Sequence, residues 1–171
     1  MRRLFLVAAA LLAQQPSARF PALKSENVEG KSFSLPADFP GARTVVFVAF
    51  EKEQQTEIDT WTPFLLSLAA SHAGLSFVEF PTLKKLTAPL RWTIRRGMKT
   101  QIKDAALRER TIPLFIDKDP FRAALGIPDE QAIHLFLVDR EGKVYWRESG
   151  AFSAPKGAAL KAAVTTSLAA Q

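Results

Sequence analysis

The chain has 171 residues, of which 47% are hydrophobic and 10% aromatic. This is enough apolar content for one folded domain and too much for a disordered chain. The chain contains no cysteine, which excludes disulfides, thiolate metal sites and every reaction that needs a thiolate. The formal net charge of +6 favours anionic partners only where the positive charge is clustered on the surface.

The first residues have the pattern of a secretory signal peptide. Residues 1–3 (Met-Arg-Arg) are positively charged, and an unbroken apolar run follows at 4–13. That run is shorter than the roughly 20 residues a membrane-spanning helix needs, and it is too continuous for an amphipathic mitochondrial presequence. We predict a signal peptide at 1–18 that is removed, and a domain at 19–171 that is exported to the periplasm or the extracellular space.

The apolar pattern of the domain predicts strands that alternate with helices. In chain order the prediction is a β-hairpin with its turn at 28–31, a core strand at 44–50, a helix from 56 to about 74, a strand at 75–80, a helix at 87–110, a strand at 112–116, a short helix at 120–125, strands at 133–138 and 144–146, and a helix at 158–170. Such an order is typical of an α/β fold, here a central mixed β-sheet flanked by helices with an N-terminal hairpin.

The segment from the first core strand into the following helix resembles the active-site segment of thioredoxins. A buried apolar strand ends at Phe50, a polar loop follows, and the helix carries Pro63. In thioredoxins the helix proline follows the second cysteine by five residues, and in related proteins the first cysteine follows the strand-end Phe by five. The two counts agree on the stretch Gln55-Thr56-Glu57-Ile58. None of these side chains can perform thiol chemistry.

Other stretches carry the same resemblance. They are the hairpin 27–35, the Asp-containing stretch 116–127 that ends in Gly-Ile, and the strand–turn–strand segment 135–144. Over about residues 26–168 the chain resembles the thioredoxin-like superfamily, of the peroxiredoxin and thiol-disulfide type. The resemblance implies a thioredoxin-like fold.

A second expected functional element is also missing. These families place a cis-proline just before the penultimate strand, facing the cysteines, and alignment puts Ile133 at that position. A cis bond before a non-proline residue costs about 3 kcal/mol, so we expect a trans bond here. The thiol pair and the proline that shapes its substrate groove are then both absent.

Three stretches resemble a cysteine-free branch, the mitochondrial ATP synthase assembly-factor family. They are Trp61-Thr62-Pro63-Phe64, the basic stretch 91–98 and the segment 104–112. That family is thought to chaperone a membrane subunit of the synthase. For this chain the resemblance implies a binding or assembly role rather than that particular client.

The basic residues of the predicted second helix form a candidate binding surface. Between Glu79 and Asp104 there is no acidic residue. Four cations recur every fourth residue and would form one stripe on a helix, with Arg96 beside it: Arg91, Arg95, Lys99 and Lys103. The stripe is either a solvated face or a docking face for an acidic partner or anionic lipid head groups. Trp61 is either a core residue or a partner anchor.

The remaining polar residues favour structural roles. His72 is expected to cap the end of the first helix, and His134 to begin a strand. Asp117 and Asp119 fit a turn and a helix cap better than an acid–base pair. Two histidines without cysteine make a poor metal set, so we predict no metal site and no cofactor.

The sequence therefore predicts a non-catalytic binding or assembly protein of the cell envelope. Its expected partner is a protein, such as a subunit of a membrane complex, with contact to an anionic membrane surface and none to nucleic acid. The alternative is a redoxin-class oxidoreductase or peroxidase-related protein that has lost or outsourced its thiol.

Overall fold

A computed structural model describes residues 18–170. The predicted signal peptide at 1–18 therefore lies outside the described residues, except for Ala18. In chain order the elements are β1 (Leu23–Glu26), β2 (Ser32–Leu35), β3 (Arg43–Ala49), a 3-10 turn (Lys52–Gln54), α1 (Gln55–Ser71), β4 (Leu75–Lys84), α2 (Ala88–Gln101), α3 (Ala105–Arg110), β5 (Leu114–Ile116), α4 (Lys118–Leu125), β6 (His134–Val138), β7 (Val144–Ser149) and α5 (Ala154–Ala169).

Five strands form one mixed sheet with β3 at its centre. The spatial order is β5-β4-β3-β6-β7. Strand β4 runs parallel to β3, and β5 parallel to β4, whereas β6 is antiparallel to β3 and β7 antiparallel to β6. Strands β1 and β2 form a separate antiparallel hairpin. The predicted α/β fold with a mixed sheet and an N-terminal hairpin is confirmed.

The core lies on both faces of the sheet because β3 is buried along its whole length. Successive side chains of a strand point to opposite faces. Val46 and Val48 pack on the face covered by the hairpin and α4. Val45 and Phe47 pack on the other face, against α1 and α5. The continuous apolar run of β3 is thus that of a strand covered on both sides.

The predicted helix at 87–110 is wrong in one respect, because the chain leaves the helix at Ile102 and starts a new one at Ala105. The carboxylate of Asp104 accepts a hydrogen bond from the backbone N–H of Ala106 at 2.9 Å. This N-cap satisfies a donor that a continuous helix would bond internally. Arg108 also donates to the carbonyl of Ile102 at 2.9 Å. This hydrogen bond links the end of α2 to α3 across the break.

Other element boundaries also differ from the prediction. Strand β4 continues to Lys84, past Pro81, and α5 begins at Ala154. Helix α1 begins at Gln55, and the Thr56 hydroxyl donates to the carbonyl of Glu53 at 2.9 Å. Thr56 is thus inside the helix rather than at its cap.

Among residues 18–170, no helix combines the length and apolar character needed to cross a bilayer.

Candidate functional site

The loop between β3 and α1 is closed by the side chain of Gln54, which is buried. Its amide oxygen accepts hydrogen bonds from the backbone N–H groups of Phe50 and Glu51, at 2.8 and 3.3 Å. Its amide nitrogen donates to the carbonyl of Glu130 at 2.7 Å. One side chain therefore joins this loop to the loop that precedes β6. Sequence reasoning missed Gln54, because nothing in its type or spacing distinguishes it from the polar residues around it.

The two positions aligned with the thioredoxin cysteines lie in the first turn of α1. Ile58 is 2% exposed and belongs to the apolar cluster under α1. Gln55 is half-buried, and its amide nitrogen donates to Asp59 at 3.1 Å and to Glu79 at 3.4 Å. Thr56 is exposed and Glu57 is partly exposed. At the two cysteine positions the chain thus has a buried hydrocarbon side chain, Ile58, and an amide, Gln55, that is hydrogen-bonded to two carboxylates.

Ile133 immediately precedes β6 and is fully buried in the same apolar cluster as Ile58. Its carbonyl accepts a hydrogen bond from the backbone N–H of Gly150 at 2.9 Å. Among residues 18–170, the cis peptide bond is the one between Leu35 and Pro36. The expected trans bond before Ile133 is therefore confirmed, and the structure brings Ile58 and Ile133 together as core residues.

Glu79 lies in β4, beneath the start of α1, and its side chain is 3% exposed. Burial raises the pKa of its carboxyl to about 7, although the hydrogen bond from Gln55 and the charge of Arg110 act in the opposite direction. The Arg110 guanidinium itself stacks on Phe77, 4.5 Å from the ring centre. The sequence does carry a signal for this buried carboxyl, because Glu79 is an acidic residue inside an otherwise apolar strand.

A shallow cleft of about 630 Å³ opens beside the closed loop. Its lining is mostly acidic: Glu51, Glu53, Glu57, Asp129 and Glu130, with Gln54, Gln131 and Arg122. Within the cleft, Glu130 pairs with Arg122 at 3.6 Å and with Lys118 at 2.8 Å. No group of three or more metal-binding side chains occurs among the residues that the structure describes. The excess of carboxylates in its lining can attract cations.

Helix α2 carries the predicted basic stripe, and two of its cations pair with the N-terminal hairpin. Arg95 lies 2.5 Å from Glu26, and Lys99 lies 2.6 Å from Glu29. Arg108 of α3 also pairs with Glu29. The hydrogen bonds from Lys99 and Arg108 lower the pKa of Glu29 below its ordinary value, and the bond from Lys99 has the larger effect.

The prediction that Lys103 continues the stripe is wrong. Lys103 follows the end of α2, in the break before α3, and its ammonium donates to the carbonyl of Thr100 at 2.8 Å. Arg91 and Arg96 are exposed on the helix. The guanidinium of Arg96 lies over the ring of Trp92, 5.2 Å from its centre.

The suggested role of Trp61 as a partner anchor is also wrong, because this side chain is fully buried. Its indole N–H donates to the carbonyl of Gly150 at 3.0 Å, and its ring packs edge-on against Phe152 at 5.2 Å. The exposed tryptophan is Trp92, with 56% of its surface accessible. The sequence does not predict that Trp92 is exposed, because a single tryptophan among basic residues is compatible with either a core or a surface position.

The other polar residues have the structural roles predicted for them. The Nδ1 atom of His72 lies 3.0 Å from the carbonyl of Leu68 at the end of α1. Asp117 accepts from the backbone N–H of Asp119 and caps α4. Burial lowers the pKa of His134, whose Nε2 lies 3.2 Å from the carbonyl of Asp129.

Comparison with protein-family models and with curated proteins gives no match, whereas comparison with solved structures does. BsSco, a member of the Sco family of cytochrome c oxidase assembly proteins, aligns with a TM-score of 0.56 and 15% identity, over 87% of this chain and 95% of that one. The exposed lipoprotein thioredoxin Etrx1 of Streptococcus pneumoniae gives 0.53 and 12%, over 88% and 100%. A thiol:disulfide interchange protein of the thioredoxin family from Chlorobium tepidum gives 0.51 and 21%, over 90% and 98%.

The chain has a thioredoxin-like fold. This confirms the fold expected from the strand, loop and proline-containing helix around Pro63. Identities of this size establish the architecture alone, so what the chain does depends on its own residues.

Proposed function

We propose that this chain is a non-catalytic, thioredoxin-like binding or assembly protein of the cell envelope. The observation that carries the proposal is the pair of residues at the thiol positions, Gln55 and Ile58, in a chain without cysteine. Thiol-disulfide and peroxidatic reactions need a thiolate as nucleophile. Neither an amide nor a buried hydrocarbon can replace it.

The surroundings of these positions support the same proposal. Ile58 and Ile133 fill the space between α1 and β6 with hydrocarbon, and Gln54 occupies the backbone donors at the end of β3. A redoxin that borrows a thiol from another molecule would need an open position beside this helix. The cleft beside α1 is open but is lined mostly by carboxylates, which would repel an incoming thiolate.

The location and the assembly role rest on sequence features and on likeness. The pattern of residues 1–18 supports export to the periplasm or extracellular space, with removal of the signal peptide. The resemblance of 61–64, 91–98 and 104–112 to the ATP synthase assembly-factor family supports an assembly role. BsSco, with the same fold, belongs to the Sco family of cytochrome c oxidase assembly proteins. We propose a protein client, such as a subunit of a membrane complex.

The proposal is tested by client capture together with activity assays. The tagged chain, expressed in its native host, is recovered from detergent-solubilised membranes, and co-purifying proteins are identified against a tag-only control. We expect a reproducible membrane-complex subunit and no reduction of insulin disulfides or peroxide by the purified protein. Turnover by thiol-free, metal-free protein would overturn the non-catalytic assignment. Recovery of no membrane protein would overturn the assembly role.

Restoring the cysteines provides a matched test of the site. The variant Gln55→Cys/Ile58→Cys should show at most weak insulin reduction, because Ile133 still closes the groove. Adding Ile133→Pro should then increase that activity if the groove is the missing part. Strong activity in the double variant alone would show that the buried isoleucine is no obstacle.

Export has its own measurement, the intact mass of the protein recovered from its native host. We expect loss of the N-terminal segment by cleavage between Ala13 and Phe20. A full-length, unprocessed chain in the host would rule out a cleaved signal peptide.

A further inference from the structure

Helix α2 has no buried residue along its 14 positions, which is unusual for a helix of this length in a small domain. Helices normally remain folded because an apolar face is buried. Here Ile94 and Met98 are only half-buried. The helix is attached to the hairpin through the pairs of Arg95 with Glu26 and Lys99 with Glu29. Most of its surface is therefore free to meet another molecule.

The basic surface of α2 combines positive charge with an exposed indole, and two of its cations, Arg95 and Lys99, are those that pair with the hairpin. At 3.6 residues per turn, five side chains of α2 fall within an arc of about 140°: Arg91, Trp92, Arg95, Arg96 and Lys99. We call this arc the cationic face. Trp92 lies between the cations and is 56% exposed. Leu90, at the start of the helix, is 52% exposed.

Part of this charge is not neutralised within the protein. Within residues 18–170, Arg91 and Arg96 form no salt bridge, and neither do Lys84 and Lys85, which precede the helix. No acidic residue occurs in α2 itself. An exposed cluster of this kind attracts a negatively charged surface over a distance of about one Debye length.

We propose that the cationic face docks the protein on the surface of an anionic lipid bilayer. A convex helix suits a flat surface, whereas an acidic peptide would normally be held in a groove or at a sheet edge. Arginine and lysine bind lipid phosphates, and an indole is favoured at the boundary between head groups and acyl chains. Trp92 enters that boundary while the cations contact the head groups. This inference goes beyond the proposed function and does not depend on the existence of a protein client.

The test measures binding of the mature protein, purified from its native host after loss of the N-terminal segment, to vesicles by flotation. Vesicles contain phosphatidylcholine alone, or phosphatidylcholine with one part in three of phosphatidylglycerol. The variant Arg91→Glu/Arg96→Glu leaves the hairpin pairs intact. Each basic residue near an anionic surface contributes about fivefold to binding, so losing two should weaken binding at least about 30-fold. Trp92→Ala should weaken it about tenfold, as expected for burial of half of a large apolar side chain.

A matched control carries the same charge change elsewhere. Lys52 and Lys161 are exposed, and neither forms a salt bridge in the described part of the chain. Lys52→Glu/Lys161→Glu should therefore bind anionic vesicles far better than the Arg91→Glu/Arg96→Glu variant. Melting temperatures should agree, because all the replaced side chains are exposed.

Three results would overturn the proposal. The first is equal binding to neutral and anionic vesicles, and the second is equal loss in the two charge-reversed variants. The third is binding that is unchanged between 0.1 M and 1 M salt, where the Debye length falls from about 10 Å to about 3 Å. Retained client capture by the Arg91→Glu/Arg96→Glu variant would separate this inference from the assembly role.

Discussion

Helices α1 and α2 are similar in length and opposite in how they are held. Helix α1 buries four side chains against the sheet: Ile58, Trp61, Leu65 and Leu68. Helix α2 buries none and is attached to the hairpin by ion pairs. Apolar burial is not weakened by electrostatic screening, whereas exposed ion pairs weaken as ionic strength rises. One helix is thus part of the core, and the other is an attached surface element.

This difference explains why substitutions are tolerated less well at the positions aligned with the thioredoxin active site than on the cationic face. Replacing Ile58 in α1, or Ile133 before β6, alters core packing, which is sensitive to the loss of a single methylene. On α2, replacing Arg91 or Trp92 alters only exposed surface. Binding properties can therefore vary on α2 without a cost in stability.

Removing one tryptophan from each helix should separate the two helices by the largest difference in stability. Trp61→Ala should lower the free energy of unfolding by about 3–5 kcal/mol, because it removes a fully buried ring and leaves a cavity. Trp92→Ala should change it by less than about 0.5 kcal/mol, because that ring is exposed. Urea unfolding followed by circular dichroism measures both. Equal losses would show that α2 is packed as tightly as α1.

The pH dependence of stability gives the next largest effect. The pKa of Glu79 is raised by burial to about 7, so the folded protein keeps a proton that the unfolded chain loses above about pH 4.5. The stability associated with Glu79 is therefore fully present below pH 4.5 and is lost as the pH rises to 7. The loss amounts to about 3 kcal/mol.

Urea unfolding between pH 4.5 and 8 measures this effect. Glu79→Gln should remove most of the decrease in stability, because the amide is neutral throughout this range. The control Glu53→Gln, at an exposed position, should keep the wild-type decrease. A variant Glu79→Gln that retained the full decrease would show that another buried group titrates.

The smallest effect concerns the attachment of α2 to the hairpin. Because Lys99 and Arg108 hold the pKa of Glu29 below its ordinary value, the stabilisation from Glu29 is present above that ordinary value. It is lost as the pH falls through the folded-state pKa. Acidification should therefore loosen α2 while it relieves the buried charge of Glu79, so the two regions respond to pH with opposite signs.

Hydrogen exchange of the α2 amides measures this attachment. Glu29→Gln should increase exchange in α2, as should high salt in the wild type, while exchange in α1 stays unchanged. The variant should lose part of its response to salt, because the pair of Arg95 with Glu26 remains. Salt-independent exchange in the wild-type α2 would contradict attachment by ion pairs.

Patterns that repeat over several residues allowed most of the fold to be predicted. The buried run around Phe47 and the spacing of Trp61, Leu65 and Leu68 each contain several consistent signals. The break at 102–104 depends on one side chain, because Asp104 can cap a new helix only if the chain turns there. A single residue with two possible roles does not decide such a break from sequence.

The site was predicted in part for the same reason. Alignment with a known fold located Gln55, Ile58 and Ile133, because the distance to Pro63 and to the penultimate strand is fixed by the architecture. Long-range contacts could not be found in this way. The pairing of Glu26 and Glu29 with α2, and the bonds of Gln54, depend on how distant segments meet in space.

Gln54 has a consequence for how easily new chemistry could arise on this chain. Its amide holds the end of β3 and the loop before β6 together through three hydrogen bonds. A sequence that gained cysteines at positions 55 and 58 would still carry this brace, with the isoleucine at 133 beside it. An evolutionary path towards a thiol enzyme would thus require several coupled substitutions, of which those at Ile58 and Ile133 alter core packing. Random drift rarely makes such coupled substitutions, so the hydrogen bonds of Gln54 help to preserve the present arrangement.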